Sequence, residues 1–240
     1  MAIYAASDLH GRYDLFLKIK AALREGDHVF FLGDAGDRGL RGWDIIKEIY
    51  SDPQFTYIKG NHEDMLAEAI RAYAKNPERV SKQFNLLKQN GGESTFVDWW
   101  SDGADISWAK KLTVLPTHKE YINENNKKIL LSHAGYTPWI DENGEILFPS
   151  DFDLIWDRSH FYDIMDECCN LDCIVVHGHT PIPHLAEDLL DKREDIPNGT
   201  YWYDNDKKVC IDNLSVFTGC ACLLNLDTFD EIIVSSNNIL

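Results

Sequence analysis

Val29-Phe30-Phe31-Leu32-Gly33-Asp34-Ala35-Gly36-Asp37-Arg38-Gly39 joins an unbroken apolar run to a glycine-rich, charged loop. Four consecutive apolar residues after the Gly26-Asp27 turn read as a buried strand. Upstream, Tyr13 to Arg24 reads as a helix, with Leu15, Ile19 and Leu23 four apart on one face, and Ile3 to Ala6 as a short strand. Downstream, Gly42 to Tyr50 reads as a second helix with Ile45, Ile46 and Ile49 inward, and Phe55 to Ile58 as a third strand. This β-α-β-α-β rhythm predicts an α/β fold with a largely parallel sheet.

From Asn61 to about Lys128 the pattern is mostly helical and rich in aromatics, among them Trp99, Trp100 and Trp108. It carries no motif of obvious chemistry beyond its first few residues. We read a helical cap or insert over approximately 63–128. Strands return at Lys128 to Ser132, Cys173 to His177, Lys208 to Asp212 and Cys220 to Leu226, where Cys220 and Cys222 share a face. Glu187 to Asp195 is acid-rich and reads as an exposed loop or helix. With 240 residues and no repeats or clear linker, one domain over 1–240 with an embedded cap is the expected organisation.

Composition excludes several classes. The net charge is −17 and no dense Lys/Arg cluster is present, against nucleic-acid binding. No apolar run is long enough to span a bilayer, and the N-terminus lacks a secretion signal, so a cytoplasmic protein is expected. The six cysteines cluster late at 168, 169, 173, 210, 220 and 222, which argues against a disulfide scaffold. Their spacing matches no common zinc pattern, and we read them as buried, reduced thiols. An acidic surface repels anions at long range, so a site for an anionic substrate must create its own positive charge.

The chemistry sits where strands end. Ser7-Asp8-Leu9-His10-Gly11 follows the first strand, and residues two apart in extended backbone point the same way, so Asp8 and His10 can grip one ion. In Gly33-Asp34-Ala35-Gly36-Asp37-Arg38-Gly39, the two oxygens of Asp34 can bridge two ions, Asp37 can orient a histidine, and Arg38 offers a planar fork for phosphate. Gly60-Asn61-His62-Glu63 supplies a neutral amide oxygen in Asn61, which can also cap the following helix, and a His62 that faces the substrate. Ser132-His133-Ala134-Gly135 and His177-Gly178-His179-Thr180-Pro181 each follow a short apolar run, and only one of His177 and His179 is needed as a ligand. Singly these motifs are turns and caps; together, at strand ends, they can converge on one sheet edge.

In this order the motifs resemble the calcineurin-like metallophosphoesterase superfamily, in its phosphoprotein phosphatase branch and most closely its small bacterial and phage serine/threonine phosphatases. The matching residues run from Asp8 to Pro181. Ile155-Trp156-Asp157-Arg158 is similar to the branch's Trp-x-Arg element, and Asn90-Gly91-Gly92 to a glycine-containing segment of its helical part. The resemblance implies a β-sandwich of two mixed sheets flanked by helices. It implies two metal sites, one of Asp8, His10 and Asp34 and one of Asp34, Asn61, His133 and His179, with Arg158 as a second phosphate-binding arginine. Ser7 stands where the family usually has Gly, and Asn213 of Ile211-Asp212-Asn213 where it has Thr. Ile182 to Val209 has no counterpart.

The implied reaction is direct hydrolysis. Two divalent ions roughly 3.5–4 Å apart lower the pKa of a shared water, and the hydroxide attacks phosphorus in line. Arg38 and Arg158 stabilise the equatorial oxygens. His62 protonates the leaving oxygen, with Asp37 holding its ring and favouring its charged form. The mixed oxygen and nitrogen donors suit Mn²⁺, Fe or Zn²⁺, and the resemblance points to Mn²⁺. A phosphorylated protein or peptide is the expected substrate, with symmetrical dinucleoside polyphosphate hydrolysis as the alternative. A non-catalytic binding scaffold would be marked by lost ligands, and none of the implied ligands is missing.

Overall fold

The structure is a computed structural model that describes residues 1–78, 81–162, 172–184 and 198–236. Cys168, Cys169 and the acid-rich stretch 187–195 lie outside the described residues. Two mixed five-stranded sheets form the centre. In the first, β1 (Ile3–Ala6), β2 (His28–Phe31) and β3 (Phe55–Tyr57) run parallel, and β11 (Cys220–Asn225) and β12 (Glu231–Ser235) extend the β1 edge antiparallel. In the second, β5 (Lys128–Ser132), β8 (Ile174–His177) and β10 (Lys208–Cys210) run parallel between antiparallel edges β4 (His118–Ile122) and β9 (Tyr201–Tyr203). A small ribbon pairs β6 (Trp139–Ile140) with β7 (Ile146–Leu147).

Alternation within the strands builds two cores. Ile3 and Ala5 of β1 face a layer shared with Ile129, Leu131, Ile174, Val176 and Leu224, which is the space between the sheets. Tyr4 and Ala6, with Val29 and Phe31 of β2, face helices instead. That second layer contains α1 (Tyr13–Ala22) and α2 (Gly42–Ser51), which bury Leu15, Phe16, Ile19, Ile45, Ile46 and Ile49. Helix α1 ends two residues before the expected Arg24, and Leu23 is only partly buried.

The stretch read as a helical cap contains α3 (Asn61–Lys75), α4 (Lys82–Gln89), α5 (Glu93–Ser101) and α6 (Ser107–Thr113), and also β4, which joins the second sheet. Trp99 is fully buried and Trp108 nearly so, whereas Trp100 is 54% exposed. Short helices α7 (Asp153–Trp156), α8 (Ser159–Tyr162) and α9 (Ser215–Thr218) complete the described elements. Among the described residues no helix is long and apolar enough to cross a membrane. Cys210 and Cys222 are buried, Cys173 and Cys220 partly so, and all four are unpaired thiols.

Every candidate motif follows the carboxyl end of a parallel strand: Asp8 after β1, Asp34 after β2, Asn61 after β3, His133 after β5 and His179 after β8. The two sheets therefore deliver side chains to one edge of the sandwich.

Candidate active site

The loops after β1 and β2 run side by side. Asp8 N donates to Gly33 O at 3.1 Å, His10 N to Asp34 O at 3.0 Å and Gly11 N to Ala35 O at 2.9 Å. The shared direction of Asp8 and His10 does not come from extended backbone. β1 ends at Ala6, and Asp8 (φ +52°) and His10 (φ +45°) are both left-handed. Asp34 (φ +58°), Asp37 (φ +70°), Arg38 (φ +62°) and His179 (φ +67°) share that strained region. The β2 and β3 loops meet backbone to backbone, since a Cβ on Gly33 (φ +89°) would stand 2.5 Å from Gly60.

Glu63 clamps this junction. Its Oε2 accepts from Asp34 N and Gly60 N, each at 2.8 Å, and its Oε1 from Ala35 N at 3.0 Å and the Tyr57 hydroxyl at 2.8 Å. The side chain is fully buried. No role for it follows from the sequence reading, because its partners are brought together from the ends of two strands, β2 and β3. Asn61 is likewise not an N-cap: α3 starts at Asn61 with Gly60 in the cap position. Its side-chain oxygen turns to the histidines instead.

Around Asp34 the donors converge. His133 gives its Nδ1 proton to Leu32 O at 2.7 Å, and His179 gives its Nε2 proton to Trp156 O at 3.2 Å. Their remaining nitrogens present lone pairs to the Asn61 oxygen, at 3.0 and 3.1 Å, and lie 3.1 Å from each other. Asp34 Oδ1 is 3.4 Å from His133 Nε2. Four acceptors thus crowd one point with no proton to share, an arrangement that suits a cation. On the other side, His10 donates through Nδ1 to Gly36 O at 3.0 Å and turns Nε2 toward Asp34 Oδ2 at 3.5 Å and Asp8 Oδ1 at 3.9 Å. Two groups, His10 with Asp34 and His62, and Asp34 with His133 and His179, each place their ligand atoms within 4.8 Å of one another. Asp34 belongs to both. By distance His62 joins the first group more closely than Asp8 does.

Electrostatics fits the same reading. Burial pushes the His10 and His179 imidazoles well toward the neutral form and lowers His133 to about 3, which is the form that binds metal. Burial also raises the Asp8 and Asp34 carboxyls, and their neighbours Asp212 and Asp8 raise them further. Asp212, buried and pushed by burial up to about 6, is a third acid at the edge; its Oδ1 accepts from Leu214 N at 2.8 Å. Crowded, desolvated carboxyls beside neutral imidazoles form a donor set that divalent cations would satisfy. Ser7, in the usual glycine position, donates its hydroxyl to Asp8.

The remaining candidates ring this centre. His62 Nδ1 donates to Asp37 Oδ2 at 2.6 Å, which fixes the ring, and its Nε2 stands 3.7 Å from Asp34 Oδ2. The Arg38 guanidinium donates to His10 Nε2 at 2.8 Å and His62 Nε2 at 3.2 Å. Arg158 donates to Thr180 Oγ1 at 2.7 Å and His179 O at 3.4 Å. The insert takes part as well. Arg38 N donates to Gly91 O at 2.8 Å, and Asp37 N to the fully buried Thr95 hydroxyl at 2.8 Å. His177 points elsewhere, with Nε2 2.7 Å from the Tyr203 hydroxyl. Asn213 binds Gly199 through both ends of its amide.

The family model for calcineurin-like phosphoesterases matches residues 1–216. Serine/threonine-protein phosphatase 2 of Escherichia coli is 29% identical over 166 residues, which span 64% of this chain and 66% of that protein. A symmetrical bis(5'-nucleosyl)-tetraphosphatase of Buchnera aphidicola is 27% identical over 145 residues, 59% of this chain and 46% of that protein. The chain therefore spans about half to two thirds of these relatives' length. A metallophosphoesterase structure from Sphaerobacter thermophilus aligns over 99% of this chain and 89% of its own, with a TM-score of 0.57 at 16% identity, which shows a common fold.

Proposed function

Because the chain belongs to the calcineurin-like phosphoesterase family, we propose that it hydrolyses phosphate monoesters with two divalent cations, preferentially on phosphoserine and phosphothreonine in proteins or peptides. The observation that carries this reading is Asp34, one carboxylate shared by two groups of convergent donors. Asp8, His10 and Asp34 would hold one ion, and Asp34, Asn61, His133 and His179 the other. When bound, such ions supply Lewis-acid polarisation of phosphoryl oxygens and a lowered pKa for nearby water. The mixed donors suit Mn²⁺, Fe or Zn²⁺, and the resemblance to the small phosphatases favours Mn²⁺.

The chain's own residues then bind and orient. Arg38 and Arg158 approach the centre from opposite metal groups, and their planar forks can hold phosphate oxygens as charge redistributes. Asp37 fixes the His62 ring through Nδ1; once a phosphate takes over the Arg38 guanidinium that now donates to Nε2, that nitrogen can carry a proton on the side of Asp34 and pass it to the leaving oxygen. Asp37 in turn is held by Thr95, so helix α5 sets the position of the proton donor.

A second reading, hydrolysis of symmetrical dinucleoside tetraphosphates, is supported by the similarity to the Buchnera enzyme. The deciding experiment is a Mn²⁺-dependent, chelator-sensitive assay on p-nitrophenyl phosphate beside a panel of phosphopeptides and diadenosine tetraphosphate. Higher kcat/KM on phosphoserine and phosphothreonine peptides is expected. Preference for the dinucleotide selects the second reading, and no turnover on any of them refutes both.

A further inference from the structure

Resting on the hydrolase reading, we propose that a basic groove beside the reaction centre binds a second phosphate of the substrate, one that is not cleaved. The groove has a volume of about 750 Å³ and, among the described residues, is lined by Arg12, Tyr13, Lys18, Arg38 and Arg41, with Asp14 as its acid. Asp44, which pairs with Arg41, adds a second acid, so four cations face two carboxylates and still reverse the sign of a chain whose net charge is −17. The sequence shows no dense Lys/Arg cluster because these four come from two segments, 12–18 and 38–41. The fold gathers them.

Arg38 connects groove and centre. Its guanidinium reaches His10 and His62 while its side chain lines the groove, so a phosphate held at the centre and one held in the groove share this residue. The groove's other cations are held by neighbours, Lys18 among them, which donates to Ser235 O. Arg41 lies 3.7 Å over the Tyr13 ring and pairs with Asp44 at 2.7 Å. Arg12 pairs with Asp14 at 2.9 Å and donates to Ser215 O at 2.9 Å. The Arg41–Asp44 pair is exposed, at 53% and 36%, and holds weakly, so a phosphate dianion can take over Arg41, while Arg12, 19% exposed and bidentate to Asp14, adds charge from a fixed position. Stacking on Tyr13 holds the Arg41 guanidinium flat, so the edge it gives to Asp44 can instead offer two parallel hydrogen bonds to phosphate. Helices α1 and α2 also begin here, with Arg12 and Arg41 as N-cap residues and no side-chain cap on either, which adds positive potential. The recognised chemistry is a phosphate group set along the substrate from the scissile one. A multiply phosphorylated peptide and a polyphosphate bridge both provide it.

The test uses the Mn²⁺-loaded full chain with Arg12→Gln/Arg41→Gln together and Lys18→Gln alone. Substrates are p-nitrophenyl phosphate, a singly phosphorylated peptide, the same peptide with a second phosphoserine, and diadenosine tetraphosphate. Wild type is expected to show a lower KM for the second phosphoserine or for the dinucleotide, and whichever arm responds identifies the source. The double variant should raise that KM about tenfold and leave p-nitrophenyl phosphate turnover unchanged, which also reports that it folds. Lys18→Gln should raise the same KM by about threefold, and added salt should do so in wild type more steeply than for p-nitrophenyl phosphate. The proposal is overturned if the substitutions leave every KM unchanged or raise KM for p-nitrophenyl phosphate equally. A wild type inactive on all four substrates brings down the hydrolase reading, and the groove with it.

Discussion

Replacing Glu63 tests how the centre is held together. Its carboxylate accepts four hydrogen bonds, two through each oxygen. Glu63→Gln turns one oxygen into an amide donor. On the Oε2 side that donor would face two backbone N–H groups, Asp34 and Gly60, and neither can reverse. On the Oε1 side it faces the Tyr57 hydroxyl, which can turn to accept, and only Ala35 N–H loses its partner. The glutamine therefore settles with its NH₂ toward Tyr57, leaving Ala35 N–H and its own second N–H facing each other, at a cost of about 1–3 kcal/mol for each of these buried unpaired donors. For a chain of this length each lowers Tm by about 2–12 °C. Glu63→Ala strips all four bonds and empties a buried site, so a loss of about 4 kcal/mol or more is expected. Because Asp34 N is one of the four donors, both variants should also weaken Mn²⁺ binding, alanine more than glutamine. The assays are thermal unfolding of the chelated protein and a Mn²⁺ titration followed by p-nitrophenyl phosphate turnover. Excess Mn²⁺ should restore much of the activity of glutamine but little of alanine. If Glu63→Ala melts with wild type and binds Mn²⁺ as tightly, the clamp is not what positions Asp34.

Other outcomes probe the centre and its surroundings. His62→Asn should keep its metal content and lose about 10²–10⁴-fold in turnover on substrates with poor leaving groups; wild-type turnover there removes His62 as the proton donor, and lost metal makes it a ligand instead. Asp34→Asn should weaken both ions together, and metal analysis that still finds two tightly bound ions would falsify the shared-ligand assignment. His177, buried and lowered by burial to about 4, favours the neutral ring in the folded chain. Its unfolded pKa is near 6.5, so its contribution to stability is whole above that pH and shrinks as pH falls from about 6.5 to about 4, by a few kcal/mol. In His177→Gln the fall in Tm between pH 7 and pH 4.5 should therefore be smaller than in wild type, and an unchanged slope would show that His177 does not titrate in that range.

Much of the fold was readable because its strands are short and strongly apolar. Ile3–Ala6 and Lys128–Ser132 match the observed β1 and β5, and the carboxyl-end position of each motif follows from the parallel rhythm. What escaped was tertiary. Helical periodicity within Asn61 to Lys128 gave no hint that His118–Ile122 pairs with β5, since pairing depends on a partner and not on local pattern. Extended backbone was the wrong reason for the joint direction of Asp8 and His10, because sequence alone does not reveal a left-handed residue that is not glycine. Glu63 was visible within its motif, yet its role depends on donors from the ends of β2 and β3. Thr95 escaped similarly, and Asn90-Gly91-Gly92 stood out by resemblance without its contact: the hold of Thr95 and Gly91 on the Asp37–Arg38 turn joins segments more than fifty residues apart.

The backbone of Asp8, His10, Asp34, Asp37, Arg38 and His179 is bent the way glycine prefers. At about 1 kcal/mol each, these six bends hold back about 6 kcal/mol, comparable to the whole net stability of many proteins. On the proposed reading, glycine at any of them would relax the chain and remove a side chain that the reaction uses. Breeding this protein for heat resistance alone would then select hardier descendants without the proposed activity, and only a screen that rewards turnover as well would preserve it.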